Sequence, residues 1–234
     1  MNSLKLTLLA GLVAAGASWS TPVNGSSLQT ILNNITTGGA SSVDVNADQI
    51  SQDKYWALTA TGGSVATMII EVAGYANDNV FGVYDLSNPA NKVALFNGPA
   101  TGGDQVVVSI KASGAVYVNF ANTGTTFAST NFGYFLQGPG GTFYSDDALN
   151  PGAADHMVSY RGEGDQVTLP GNYPGVWTAD EYVLGWEDVA FGDNDFDDMV
   201  VMVESVMPVP EPTTLGLMGL GLLGMGLLAR RKKA

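Results

Sequence analysis

Beyond Ile35 the chain never again spaces its apolar residues at the period of a helix, and that absence narrows its possible folds more than any other feature. Short runs with the period of a strand take over. In "AVYVNF", Val116, Val118 and Phe120 fall on one face and Tyr117 and Asn119 on the other, the pattern of a sheet wet on one side. Strands are predicted at residues 55–60, 67–72, 80–86, 92–96, 105–110, 115–120, 131–136, 142–145, 156–160, 182–186 and 199–203, with Gly, Asn and Pro filling the gaps. Many short strands at near-regular spacing predict an all-β chain, a two-sheet sandwich or jelly-roll-like domain, and no repeat of fixed period is visible.

One helical signal precedes them. In "SSLQTILNNI", Leu28, Ile31, Leu32 and Ile35 recur at i, i+3, i+4 and i+7, behind a serine cap and before Gly38-Gly39, so one short N-terminal amphipathic helix is expected. No linker precedes Pro208. Residues 26–206 therefore read as one β-sandwich domain, with a sub-division near residue 138 as the alternative. A 45% hydrophobic content over 234 residues is ample for a core, while 13% charged residues and 30 glycines suit an exported β protein better than a helical cytosolic enzyme. The chain has no cysteine, which excludes disulfides, thiolate nucleophiles and cysteine-based zinc sites.

Both ends carry targeting signals. At the N-terminus Lys5 precedes an apolar stretch from Leu6 to Ala15, and Ala15-Gly16-Ala17 offers a cleavage site, so residues 1–17 are expected to be a signal peptide rather than a buried helix. At the C-terminus, residues 215–229 lack any polar side chain and Arg230, Arg231, Lys232 and Lys233 follow at once. A short hydrophobic transmembrane helix is expected there, with the basic end cytoplasmic and the body across the membrane. Fifteen residues make roughly 22 Å of helix against a hydrocarbon core of about 30 Å, short for a permanent anchor.

Pro210-Glu211-Pro212, that Gly/Leu-rich helix and the terminal basic cluster together resemble the PEP-CTERM sorting signal of Gram-negative bacteria, over residues 208–234. The resemblance implies a precursor held in the inner membrane, removal of the tail near the motif by an exosortase, and a mature chain ending near Val209. It also implies a host that makes exopolysaccharide. A plain membrane anchor is the alternative.

Between the two signals, residues 18–209 hold 21 Asp and Glu against Lys54, Lys92, Lys111 and Arg161, a net charge of −17. Nucleic acid and anionic lipid surfaces are therefore excluded as partners of this body, and cations are attracted. The negative charge is densest in "WEDVAFGDNDFDDMVV", where Glu187, Asp188, Asp193, Asp195, Asp197 and Asp198 occupy the connection between the strands at 182–186 and 199–203, expected to be the last two. No Lys, Arg or His interrupts them. Carboxylates 5 to 6 Å apart repel by roughly 0.75 kcal/mol per pair in water, and by about four times that near a protein surface. Trp186, Val189, Phe191 and Phe196 are interleaved, and their burial draws the acids into a common, partly desolvated space.

A bound Ca²⁺ answers that repulsion, because it accepts six to eight hard oxygens irregularly, whereas Mg²⁺ demands an octahedron. The alternatives are a solvated loop, or carboxylates that hydrogen-bond backbone amides to pin the hairpin. Asp193, Asp195, Asp197 and Glu204 match positions 1, 3, 5 and 12 of an EF-hand loop, but Asp198 stands where that loop needs glycine. In a strand, "MVVMVE" would also carry Glu204 roughly 20 Å away. A site on a β loop is the better reading.

Residues 147–204 also resemble a domain-of-unknown-function family common in bacterial exported proteins, through "LNPGAADHMVSY" (Leu149 to Tyr160), "WED" (Trp186 to Asp188) and "DFDDMVV" (Asp195 to Val201). That resemblance implies a β-sandwich module with a structural role for His156 or a hydrogen bond from its ring into the acidic loop. As for enzymes, His156 follows Asp155, yet no nucleophile-elbow motif is present, and no pair of glycosidase carboxylates can be singled out among so many acids. The expectation is a non-catalytic, Ca²⁺-stabilised protein of the cell surface or exopolysaccharide matrix. A carbohydrate-binding module or adhesin using Tyr144, Tyr173 or Trp177 is the runner-up, and a polysaccharide-acting hydrolase the third reading.

Overall fold

The computed structural model describes residues 20–71, 76–190 and 192–210. The expected signal peptide, the hydrophobic helix at 215–229, the basic residues at 230–233, Glu211, Pro212 and Phe191 lie outside the described residues. Among the described residues no helix is long and apolar enough to cross a membrane. Helix α1 (Ser27–Ile35) is followed by fifteen strands: β1 (Trp56–Leu58), β2 (Ser64–Glu71), β3 (Val80–Asp85), β4 (Asn88–Asn97), β5 (Gln105–Ile110), β6 (Ala115–Val118), β7 (Ala121–Thr126), β8 (Phe132–Gly138), β9 (Gly141–Tyr144), β10 (Met157–Arg161), β11 (Asp165–Leu169), β12 (Tyr173–Trp177), β13 (Glu181–Trp186), β14 (Met199–Glu204) and β15 (Val206–Pro208).

They form an antiparallel two-sheet sandwich with a small ribbon. One sheet runs β15-β1-β8-β3-β4, with β9 also on β8; the other runs β10-β13-β14-β2-β5-β6-β7; β11 and β12 pair by themselves. Both large sheets draw strands from either side of residue 138.

Strand periodicity divides the apolar residues between two cores. Met199, Val201 and Val203 of β14, with Tyr182, Leu184 and Trp186 of β13, face the other sheet and meet Trp56, Phe81, Tyr134 and Leu136. The residues between them, Val183, Val200 and Met202, face outward into a second core made by Leu28, Leu32 and Ile35 of α1 with Val43, Val45, Val167 and Trp177. The seven-stranded sheet is thus covered on both faces, so its central strands read as continuous apolar runs rather than as alternating ones. Of the helical stripe, Leu28, Leu32 and Ile35 are buried and Ile31 is partly so. A buried side chain of this size contributes about 1.5–3 kcal/mol, and these packed contacts hold a nine-residue helix too short to persist alone.

Four strands, β7, β11, β12 and β15, lie outside the sequence expectation, and β6 and α1 depart from it in detail. β7 and the ribbon β11–β12 are not expected from the sequence, because "ANTGTT" has no apolar side chain larger than alanine and Pro174-Gly175 reads as a breaker. β15 follows β14, so the strands at 182–186 and 199–203 are not the last two. Phe120 does not continue the buried face of β6: the chain turns at Asn119 (φ 48°) and Phe120 (φ 64°), leaving Phe120 77% exposed. Ser26 occupies the N-cap position but its hydroxyl caps nothing, and the neighbouring Ser27 Oγ donates instead to Asp195 Oδ2 at 3.3 Å.

Candidate metal centre

The acidic connection from Glu187 to Asp198 is built around a buried plug. Phe196, fully buried and at φ 53°, turns into the second core, where its carbonyl and Leu28 close over Gly185. Its N–H donates to Glu187 Oε1 at 2.9 Å, which ties the far end of the loop to the near end. Asn194 also has positive φ (60°), and the stretch before α1 clamps this turn: Asn24 donates its N–H to the Asn194 carbonyl at 2.7 Å and its side-chain Nδ2 to the Asp193 carbonyl at 2.5 Å.

The six acids separate into two groups. Glu187, Asp193 and Asp195 converge, with one carboxylate oxygen of each within 4.8 Å of the others. Oxygens sharing a Ca²⁺ at about 2.4 Å can be at most about 4.8 Å apart, so the three fit one ion, with carbonyls and water left to complete its shell. Asp188 and Asp198 are committed elsewhere. Asp188 Oδ2 accepts from Asn79 Nδ2 at 3.0 Å, and Asp198 Oδ2 accepts from the Asp188 N–H at 2.9 Å. Asp197 is half-buried and outside the converging group. Glu204, the last EF-hand position, sits at the far end of β14 opposite Glu181.

Glu187 is the unusual member. It is 2% exposed, and its Oε2 has no hydrogen-bond partner. That oxygen presses against Gly192, where a β-carbon would overlap it, so only glycine lets the carboxylate lie there. Burial, together with the charges of Asp198, Asp193 and Asp195, pushes the carboxyl up to about 7 despite the Phe196 N–H that favours its charged form. Asp195 rises to about 6 through burial and the Asp197 charge, and Asp198 to about 6 through burial and the Asp188 charge. A cation would reverse each of these shifts.

His156 meets the loop through its backbone and the edge of its ring. Its carbonyl accepts from the Glu187 N–H at 3.1 Å, and Nδ1 lies 3.4 Å from the Glu187 carbonyl. The ring, 3% exposed, stacks on Phe143 at 3.9 Å, and burial lowers its pKa. Of the aromatics proposed for sugar contact, Trp177 is fully buried in the second core, and Tyr144 is half-buried in an edge-to-face pair with Tyr84. Tyr173 is 44% exposed.

A second acidic site had no signature in the sequence. A cavity of about 430 Å³ is lined by Asp53, Asp147, Asp155, Lys54, Thr21 and Gln49, among others. Asp53 Oδ2 accepts from Ser159 Oγ at 2.8 Å, Asp155 accepts from Thr21 Oγ1 and from the Met157 N–H, and Lys54 stands 3.8 Å from Asp147. Burial still raises all three acids, Asp53 strongly and Asp147 to about 6. These acids lie up to about a hundred residues apart in the chain, and only the fold brings them together.

No curated protein matches the chain. Residues 101–206, from β5 to β15 and including the whole acidic loop, match a domain of unknown function (DUF4114), which extends the resemblance read at 147–204 toward the N-terminus. Residues 208–233 match the PEP-CTERM protein-sorting motif. The chain is thus an exported β-sandwich protein that carries a DUF4114 domain and a C-terminal PEP-CTERM signal directing it to exosortase processing at the cell envelope.

Proposed function

We propose that this protein is a non-catalytic component of the cell surface or exopolysaccharide matrix whose exported body is stabilised by Ca²⁺ bound at Glu187, Asp193 and Asp195. One observation carries the metal reading: a buried carboxylate oxygen, Glu187 Oε2, has no partner, and its residue is one of three acids that each bring an oxygen within the span of one ion. An uncompensated buried carboxylate is costly, and no Lys or Arg lies within the loop to offset it. Three carboxylates on an irregular loop favour Ca²⁺, which accepts six to eight oxygens irregularly, over Mg²⁺, which demands an octahedron. Before processing, the hydrophobic tail would hold the precursor in the inner membrane with its basic end in the cytoplasm. The body's −17 charge fits a partner that gathers cations, such as a matrix cross-linked by Ca²⁺, better than a bare anionic surface.

Calcium titration of the exported body, residues 18–209, tests the metal reading. A heat of binding with a dissociation constant of roughly 10⁻⁴ to 10⁻³ M is expected. Its absence, with an unchanged melting temperature, would sink the metal site and leave the acids as a strained loop. Fractionation tests the location: mature protein should be found outside the inner membrane, and Glu211→Ala or deletion of residues 230–233 should trap a full-length form within it.

A further inference from the structure

The sorting motif begins where the folded body ends. β15 pairs antiparallel with β1 through Trp56 with Pro208, Ala57 with Met207 and Leu58 with Val206. The Val209 N–H then donates to the Tyr55 carbonyl at 2.7 Å, and at the other end of the same ladder the Thr59 N–H donates to the Ser205 carbonyl at 2.9 Å. Pro210, the first residue of the motif, follows the last of these bonds directly. Val206 is fully buried in the main core, whereas Met207 is half exposed.

A peptidase that takes an extended substrate pairs with its main-chain groups as an added strand would, over several residues beside the scissile bond. On the body side of this motif those residues are 206–209, and β1 and Tyr55 already engage their backbone. β1 holds one edge of this segment and the main core holds Val206, so the segment cannot lie extended in an active-site cleft until it leaves the sheet. We propose that β15 is a latch over the sorting signal, and that the processing enzyme acts only when β15 has left β1. The inference rests on the exosortase reading of the tail. β15 suits the role: it is a three-residue edge strand with one buried side chain, so releasing it exposes little and leaves the rest of the sandwich intact.

The test uses the full chain in a host with the matching exosortase, pulse-labelled and followed from precursor to mature form. Ala57→Cys combined with Met207→Cys places a crosslinkable pair in register at the sheet surface of a chain with no other cysteine. Cleavage that follows the population of an open form should slow by ~10-fold or more in the oxidised protein and recover on reduction. Inserting about eight Gly and Ser residues between Val209 and Pro210 frees the motif while leaving β15 paired, and should raise conversion about 3-fold or more. Conversion of the crosslinked chain at the wild-type rate overturns the latch, as does an insertion without effect. Glu211→Ala separates the two levels of inference: conversion that persists in that variant overturns the exosortase reading itself, whereas dependence on Glu211 with indifference to the crosslink overturns the latch alone.

Discussion

Two acidic sites in this molecule are made of the same residue types and finished differently. Around Asp53, Asp147 and Asp155 the chain supplies the partners: the Ser159 and Thr21 hydroxyls, the Met157 amide and the Lys54 ammonium. Around Glu187, Asp193 and Asp195 it supplies the Phe196 amide and the Ser27 hydroxyl, and leaves Glu187 Oε2 with nothing. Clustered carboxylates are therefore no sign of a ligand by themselves. What distinguishes the loop is one buried oxygen that the protein leaves unanswered.

Calcium should divide the two sites most sharply. At a hundred times its dissociation constant it stabilises the folded body by about 2.7 kcal/mol, visible as a rise in melting temperature over chelator. Asp195→Asn is expected to remove most of that rise while costing little in chelator, since losing one charge also relieves repulsion. Asp155→Asn should leave the calcium response intact. Equal loss of response in both variants would erase the distinction.

Protons come next. Glu187 at about 7 and Asp147 at about 6 have folded values above their ordinary ones, so the native state holds its protons more tightly than the unfolded chain does. In chelator, stability is therefore greatest below about pH 4 as far as these groups are concerned, and is lost as pH rises to about 7. The Glu187 share is at most about 3 kcal/mol. Calcium should abolish that share by favouring the ionised carboxylate, while the Asp147 share, removable by Asp147→Asn, should be indifferent to calcium. Melting curves at several pH values, with and without calcium, read both.

Hydroxyl partners give the smallest effect. Ser159→Ala removes the donor that Asp53 accepts from and should cost about 1.5 kcal/mol by denaturant unfolding. Ser27→Ala should cost less than about 1 kcal/mol, because at 3.3 Å its bond to a half-buried Asp195 is weak. The reverse order would mean that the loop, not the cavity, is the site completed by the protein.

The sequence revealed these features unevenly, for physical reasons. Short apolar runs located β5 to the residue and β3, β8, β13 and β14 within two, because most side chains of each are buried. That pattern is the signal that a strand covered on both faces leaves. It missed β7, whose side chains are mostly exposed, and the ribbon, whose strands are defined by pairing with each other rather than by burial. Composition alone found the acidic loop, but Asn79, more than a hundred residues distant, is what draws Asp188 away from the converging three. The cavity left no trace in the sequence, since Asp53 and Asp155 meet only once β10 is in place beside residues 49–53.

The position of β14 has a consequence for how the protein can be made. This strand lies between β13 and β2, so the seam that completes the seven-stranded sheet joins residues 64–71 to residues 199–204 across about 130 residues of chain, a slow, entropically costly pairing. Until the last stretch before the sorting signal has crossed the membrane, β2 and β13 each offer an unpaired edge among apolar side chains, Val65, Met68, Ile69 and Ile70 on one and Tyr182, Val183 and Leu184 on the other, a template for pairing with other chains. A chain released early from the ribosome, lacking residues beyond 198, would keep those edges open for good and be marked for aggregation or proteolysis, so that only a chain carrying β14 closes the sheet.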